Sequence, residues 1–212
     1  MNTATNTPTA PTQDSRENGA QPRNFRPRLS LYHANGKGSG SAVRFELVPA
    51  TGDRDGAVYL TLAQQKSVAT GSAEQGNRQH ATFDWQNRVT VKLNFGDLCQ
   101  MLLVLKGQAS TIADGKGLYH DSRQTITLIN LTHLTEPFPG FVLEVSRRGK
   151  TEADQSSRTR IVFNGAEAYG LGAVLHQALG LLAFGVPREY PSGPLTTPAE
   201  PQAEMEEALP QF

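Results

Sequence analysis

The chain has 212 residues, 37% of them hydrophobic and 19% charged, and its formal net charge is zero. That length suits one domain or two small ones, and no apolar run approaches the ~18 residues of a membrane span. A lone cysteine, Cys99, excludes an intrachain disulfide framework and a cysteine-built zinc site.

The opening stretch, MNTATNTPTAPTQDSRENGAQ, has no apolar segment of the kind a secretory signal needs. Residues 1–28 hold four arginines against two acids, and residues 187–212 hold one arginine against five glutamates. An acidic end therefore hangs from a mildly basic body. Ten of the 13 prolines lie in these two ends, which are also poor in branched apolar residues. Neither end can bury enough surface to offset chain entropy, so both are predicted to be disordered tails. Residues 29–186 remain as a single domain with one sizeable core.

Period-2 alternation runs through the first part of that body. Leu29 and Leu31; Val43, Phe45 and Leu47; Val58, Leu60 and Leu62; and Val89, Val91 and Leu93 alternate with polar residues. Four half-buried antiparallel strands are predicted, joined by turns at NGKGSG (35–40), TGDRDG (51–56) and the polar stretch 66–79. In FGDLCQMLLVLKG, Phe95, Leu98, Leu102 and Leu105 then recur at helical spacing and Gly107 stops the run. This helix is apolar nearly all round, which predicts a second buried face between protomers of a homo-oligomer.

The order then repeats. Alternation runs over 118–134, 140–147 and 158–163, and a longer helix follows from Gly165 to about Phe184, ended by Gly185 and Pro187. Leu31-Tyr32-His33 opens the first half and Leu118-Tyr119-His120 the second; each half closes its last strand on asparagine, Leu93-Asn94 and Phe163-Asn164. We read an internal duplication, residues 29–107 and 118–186, and an α+β fold of two antiparallel sheets, each followed by a helix (ββββα twice).

Alternation sends Tyr32, Arg44, Tyr59, Thr61, Arg88, Thr90 and Lys92 to the face opposite the apolar set. Rings and cations on an open sheet suit single-stranded nucleic acid, whose bases stack on tyrosine and whose phosphates pair with arginine and lysine. An ordinary solvated sheet face has a similar composition. In the second half, Arg147, Arg148 and Lys150, then Arg158 and Arg160, flank a polar loop in a basic hairpin that could track a phosphate backbone or be merely soluble. In FDWQNR, Phe83 is expected in the core, and Trp85 fits a stacking platform or the core equally.

NGKGSGSA (35–42) carries Lys37 but fails the P-loop pattern, and a strand follows it rather than a helix; a hairpin loop that approaches a backbone or a second subunit fits better, with Lys37 counted among the nucleic-acid-binding residues. His120-Asp121-Ser122 has the residue types of a hydrolase triad, yet adjacent residues do not converge on one atom and no G-x-S-x-G elbow is present. Cys99 reads as a packed thiol. The five histidines lack metal-ligand spacing. No catalytic residue, metal or cofactor is predicted.

The last segment, EMEEALPQF, resembles the acidic tip of bacterial single-strand-binding proteins, which recruits replication and repair enzymes. The resemblance implies that Glu204, Glu206, Glu207, Pro210 and Phe212 bind such partners. Over residues 29–186 the doubled strands-then-helix order resembles the Whirly and PUR-alpha group of single-stranded nucleic-acid binders, and the trypanosome mitochondrial guide-RNA-binding proteins look similar. NGKGSGSAVRFEL is similar to the Lys-Gly-Lys-Ala-Ala-Leu stretch of plant Whirly proteins, by position Lys37 through Val43. The resemblance implies sequence-tolerant binding of single-stranded DNA or RNA and assembly into tetramers. The function expected is therefore a non-enzymatic single-strand-binding protein. Arg44, Arg88, Lys92, Arg147, Arg148, Arg158 and Arg160 would track phosphates; Tyr32, Tyr59, Tyr119 and Trp85 would stack bases. Its expected place is the bacterial cytoplasm, at the nucleoid. The alternative is an oligomeric protein-interaction scaffold with no nucleic-acid role.

Overall fold

The structure, a computed structural model, describes residues 27–186 except 73, 75, 138 and 152–155. The two tails, with Glu204, Glu206, Glu207, Pro210 and Phe212, lie outside the described residues. Strands β1 (Arg28–His33), β2 (Ser41–Val48), β3 (Ala57–Ser67) and β5 (Val89–Leu93) pair antiparallel in that order, and the two-residue β4 (Thr82–Phe83) pairs the far end of β3. Helix α1 (Phe95–Leu105) follows. Strands β6 (Leu118–Asp121), β7 (Thr125–Leu134), β8 (Gly140–Gly149) and β9 (Ser157–Phe163) form the second antiparallel sheet, and α2 (Gly165–Phe184) closes the body. The single run expected over 118–134 is two strands, because the Ser122 N–H and hydroxyl both donate to the Thr125 carbonyl and turn the chain.

The register shows the duplication strand for strand. Leu31–Val43–Leu62–Val89 is one row across the first sheet, and Leu118–Ile129–Val145–Thr159 is its counterpart across the second. Both rows face inward. Together with α1 and α2 the two inner faces make one continuous core, with Leu60, Leu62, Leu98, Met101, Ile129, Leu131, Leu143 and Phe163 fully buried. The helices lean on each other closely enough that the Leu105 Cβ lies 3.6 Å from where a Cβ on the buried Gly172 would stand.

Both helices start on the same device. Asn94 accepts from the Asp97 N–H at 2.9 Å, and Asp97 accepts from the Asn94 N–H at 2.9 Å. Asn164 and Glu167 repeat this reciprocal capping at 2.9 and 3.0 Å. The capping acids are then engaged by the opposite repeat. His33 of β1 stands 2.7 Å from Glu167 at the start of α2, and His120 of β6 stands 3.3 Å from Asp97 at the start of α1. The far end of α2 is likewise finished by the first repeat: Ala50 N–H donates to the Leu181 carbonyl at 2.9 Å and Gly56 N–H to the Leu182 carbonyl at 3.3 Å. A side chain at Gly56 would collide with the Leu182 backbone.

These ties predict an order of destabilisation. Glu167→Ala removes half of a capping box and the inter-repeat contact, and should cost about 2 kcal/mol. His33→Ala leaves the capping box intact, removing the Glu167 contact and an edge-on contact with Phe163 at 6.4 Å, and should cost about 1 kcal/mol. Urea unfolding at neutral pH measures both.

Candidate nucleic-acid interface

Each sheet has an outer face, and strand parity decides what it carries. On the first sheet, Tyr32 lies opposite Ala42 and Ala42 opposite Ala63; Arg44 lies opposite Thr61 and Thr61 opposite Thr90; Glu46 lies opposite Tyr59 and Tyr59 opposite Lys92. Ala42, Thr61 and Ala63 are buried although no second sheet covers them. The chain between β3 and β5 lies near this face instead. Its Trp85 ring stacks on the Arg44 guanidinium at 4.4 Å, and Tyr32 meets Trp85 edge-on at 6.4 Å and Phe83 at 5.5 Å. Phe83, expected in the core, is thus part of this outer cluster: it pairs opposite Gln65, which shares the outer parity of Thr61 and Ala63.

A short turn holds Trp85 in place. The Asp84 carboxylate accepts from the Asn87 side chain at 2.7 Å and from the Gln86 and Asn87 N–H groups at 3.2 Å, while Arg88 donates to the Trp85 carbonyl at 2.5 Å. Between this turn and the sheet is a polar cavity of 420 Å³ lined by Arg44, Glu46, Tyr59, Thr61, Trp85, Arg88 and Thr90. The Arg44 Nε is buried and bonds to no group among the described residues, and no carboxylate of theirs pairs with this guanidinium. A half-buried cation with no counter-ion costs free energy unless a ligand supplies the charge. An anion seated there would meet an arginine already oriented by the indole ring.

Lys37 stands apart from this cluster. It sits in an exposed loop pinned by Asn35, whose side chain accepts from the Lys37 and Ser39 N–H groups, and by the buried Gln65 amide, which bonds Asn35 and Gly40. A Cβ on Gly40 would collide with the His33 carbonyl, which accounts for glycine there.

The second sheet is different. Tyr119, 60% exposed, begins a row with Leu128, Ser146 and Arg158, whose first three members match Tyr32, Ala42 and Ala63. Asn130, Glu144 and Arg160 stand where the first sheet has Arg44, Thr61 and Thr90. Among the described residues no ring covers this face as Trp85 covers the first. Arg158 pairs with Glu144 at 2.7 Å, which raises its pKa, and Lys150 pairs with Asp121 at 2.5 Å. Arg147 has inner-face parity. It donates to the Thr90 carbonyl at 2.6 Å and the Thr127 hydroxyl at 3.0 Å, so it joins the two sheets, and burial lowers its pKa. Arg148 and Arg160 are exposed.

The first sheet therefore brings Tyr32, Arg44, Tyr59, Trp85, Arg88 and Lys92 to one face, apart from Lys37 and from the second-sheet set. Glu46 and Phe83 also belong to the cluster. Glu46 was not among the expected site residues, although its parity with Arg44 in VRFELV is a signal that could have found it.

No protein-family model matches the chain, and none of the curated proteins matches it. Among solved structures, the plant transcriptional regulator PBF-2 aligns over 75% of this chain and 83% of its own at 16% identity, with a TM-score of 0.52. WHY1 from Arabidopsis thaliana aligns over 76% of this chain and 87% of its own at 18% identity, with a TM-score of 0.51. The likeness is one of fold: two antiparallel sheets, each followed by a helix, in a Whirly-like arrangement.

Trp85 is the sole tryptophan, so its emission reports on this turn. The Asn87 side chain, followed by backbone N–H groups, holds Asp84 below its ordinary value of 3.8. A depressed carboxylate stabilises the fold above its unfolded pKa, and that contribution is lost as pH falls through the lower folded value. Trp85 emission should therefore stay native down to pH 3.8 and shift to the red only below it. Asp84→Ala should show the red-shifted spectrum already at pH 7.

Proposed function

We propose that the outer face of the first sheet binds single-stranded DNA or RNA with tolerance for sequence. The observation that carries this reading is Arg44: a half-buried guanidinium without a partner among the described residues, stacked on Trp85 with Tyr32 and Phe83 beside it. In this reading Arg44, Arg88 and Lys92 take phosphates, and Tyr32, Tyr59 and Trp85 stack bases. Arg148, Arg160 and Tyr119 extend the path on the second sheet, with Arg158 joining by giving up Glu144. The Whirly-like fold supports the reading, since the solved neighbour PBF-2 is described as a transcriptional regulator. No residue is assigned a catalytic role.

The protein acts as a homo-oligomer in this reading, and α2 is the reason. From Ala168 to Phe184 its only ionisable side chains are Tyr169 and His176, and it leaves Tyr169, Val174 and Phe184 exposed, the last at 90%. The expected excess on α1 is smaller, with Phe95 and Leu103 exposed. A helix apolar on two sides needs a second partner. The C-terminal Glu204, Glu206, Glu207, Pro210 and Phe212 are proposed to recruit replication or repair proteins.

Fluorescence anisotropy with labelled single strands and duplexes tests the binding. Log affinity for single strands should fall with log salt at about −0.7 per neutralised phosphate, and Arg44→Ala should lower both affinity and slope. Trp85→Ala should weaken binding about tenfold or more with little change in slope, because stacking releases few ions. Equal affinity for duplex and single strand, or no binding at low salt, would refute the reading. Light scattering that returns a monomer at micromolar concentration would refute the oligomer.

A further inference from the structure

Resting on that reading, we propose that the cavity between the first sheet and Trp85 is one base-reading subsite that adds a preference for guanine to otherwise sequence-tolerant binding, with Glu46 as the reading residue. Phosphate binding alone gives no reason for an acid here, because a carboxylate repels phosphate. Glu46 nevertheless lines the cavity with Arg44 and Arg88. It rises from β2 two residues beyond Arg44 on the same face and lies directly across from Tyr59. It is half-buried, and its carboxylate has no hydrogen bond or ion pair among the described residues. Both members of the Arg44/Glu46 couple are thus unpaired in one cavity, a donor-only group beside an acceptor-only group.

An unpaired base in a single strand presents its Watson–Crick edge. Guanine alone among the common bases offers two adjacent N–H donors, N1–H and the 2-amino group, next to the acceptors O6 and N7. A carboxylate accepts from both donors while an arginine donates to O6 or N7, the pairing that arginine makes with guanine elsewhere. Adenine and cytosine place a ring nitrogen lone pair beside their amino group, and that lone pair would face the carboxylate. Thymine and uracil place one N–H between two carbonyls. The Trp85 and Tyr59 rings bound the same cavity and supply surfaces on which a base can lie. Arg88 spends one Nη on the Trp85 carbonyl and keeps its other nitrogens for the ligand.

The test uses the full chain and labelled thymine strands carrying guanine, inosine, adenine or cytosine at alternate positions, read by anisotropy. The guanine strand should bind about tenfold tighter than the all-thymine strand. Inosine, which lacks the 2-amino group, should fall between them. In Glu46→Gln an amide donor replaces one acceptor and fits the adenine or cytosine edge, so the ratio of guanine to thymine affinity should fall to about one. Equal wild-type affinity for every strand overturns the subsite and leaves single-strand binding standing. A guanine preference that survives in E46Q overturns the role of Glu46. Failure to bind any strand at low salt overturns the subsite together with the function it rests on.

Discussion

The ends of the two helices are the constraint on which the rest of the structure depends. A helix leaves unpaired N–H groups at its start and unpaired carbonyls at its finish, and each must find a partner. Here the starts are capped locally by Asn94 and Asn164, but the capping acids are held by histidines of the opposite repeat. The finish of α2 is completed by the β2–β3 loop of the first repeat. Neither half can therefore reach its native helix termini alone. The single core, with inner faces from both sheets, makes the same demand by a different force. Burial of apolar area drives the halves together without direction, while the histidine contacts and the loop hydrogen bonds fix their orientation.

This constraint leaves the outer faces free to diverge. The two sheets share register, inward rows and an outer row that begins with tyrosine. They differ in what lies between their last two long strands. In the second sheet β8 ends at Gly149 and β9 begins at Ser157; in the first, the chain travels from Ser67 to Val89 and sets Trp85 on Arg44. Without that excursion Arg44 would be a solvated arginine on an open sheet. With it, the guanidinium is fixed in direction and partly dried, and the cavity beside it is walled. The insertion cost the fold little, because long surface connections add only slowly to loop-closure entropy.

Much of this was legible in the sequence. Alternation located the long strands and the face on which Tyr32, Arg44, Tyr59 and Lys92 stand, because period 2 is a direct consequence of strand geometry. The helices were legible from their spacing; Asn94 and Asn164 were read only as matching marks of the two halves, and their capping role came with the structure. What escaped was of two kinds: contacts distant in sequence, and strand parity that was present but not applied to Arg147 and Glu46. Phe83 and Trp85 sit in a segment with no clear period, so nothing local could say whether their rings turn inward or lie across the outer face. Arg147 looked like one more cation in a basic hairpin, yet parity with Val145 and Leu143 sets it on the inner side, where Thr90 and Thr127 receive it. The repeated Leu-Tyr-His was visible as a duplication mark. That its histidine reaches across to the other repeat's helix could be learned only from the assembled fold.

Net charge is a poor guide to how such a surface meets a polyanion. The tally counts Arg147, Lys150 and Arg158 equally with Arg44, although their circumstances differ. Arg158 and Lys150 already hold carboxylates at 2.7 and 2.5 Å, so an incoming phosphate must replace a partner rather than add one. Arg147 is spent on holding two sheets together. Arg44 has no such competitor, and its desolvation has already been met by folding rather than by binding. An interaction whose cost is met in advance returns more of its Coulomb and hydrogen-bond energy to the ligand. A mildly basic body can therefore carry a strong anion site, provided that the unpaired cations are gathered on one face and the paired ones placed elsewhere. The first sheet does this with a single tryptophan, whose ring stacks on the Arg44 guanidinium while Glu46 of the same cavity stays unpaired among the described residues.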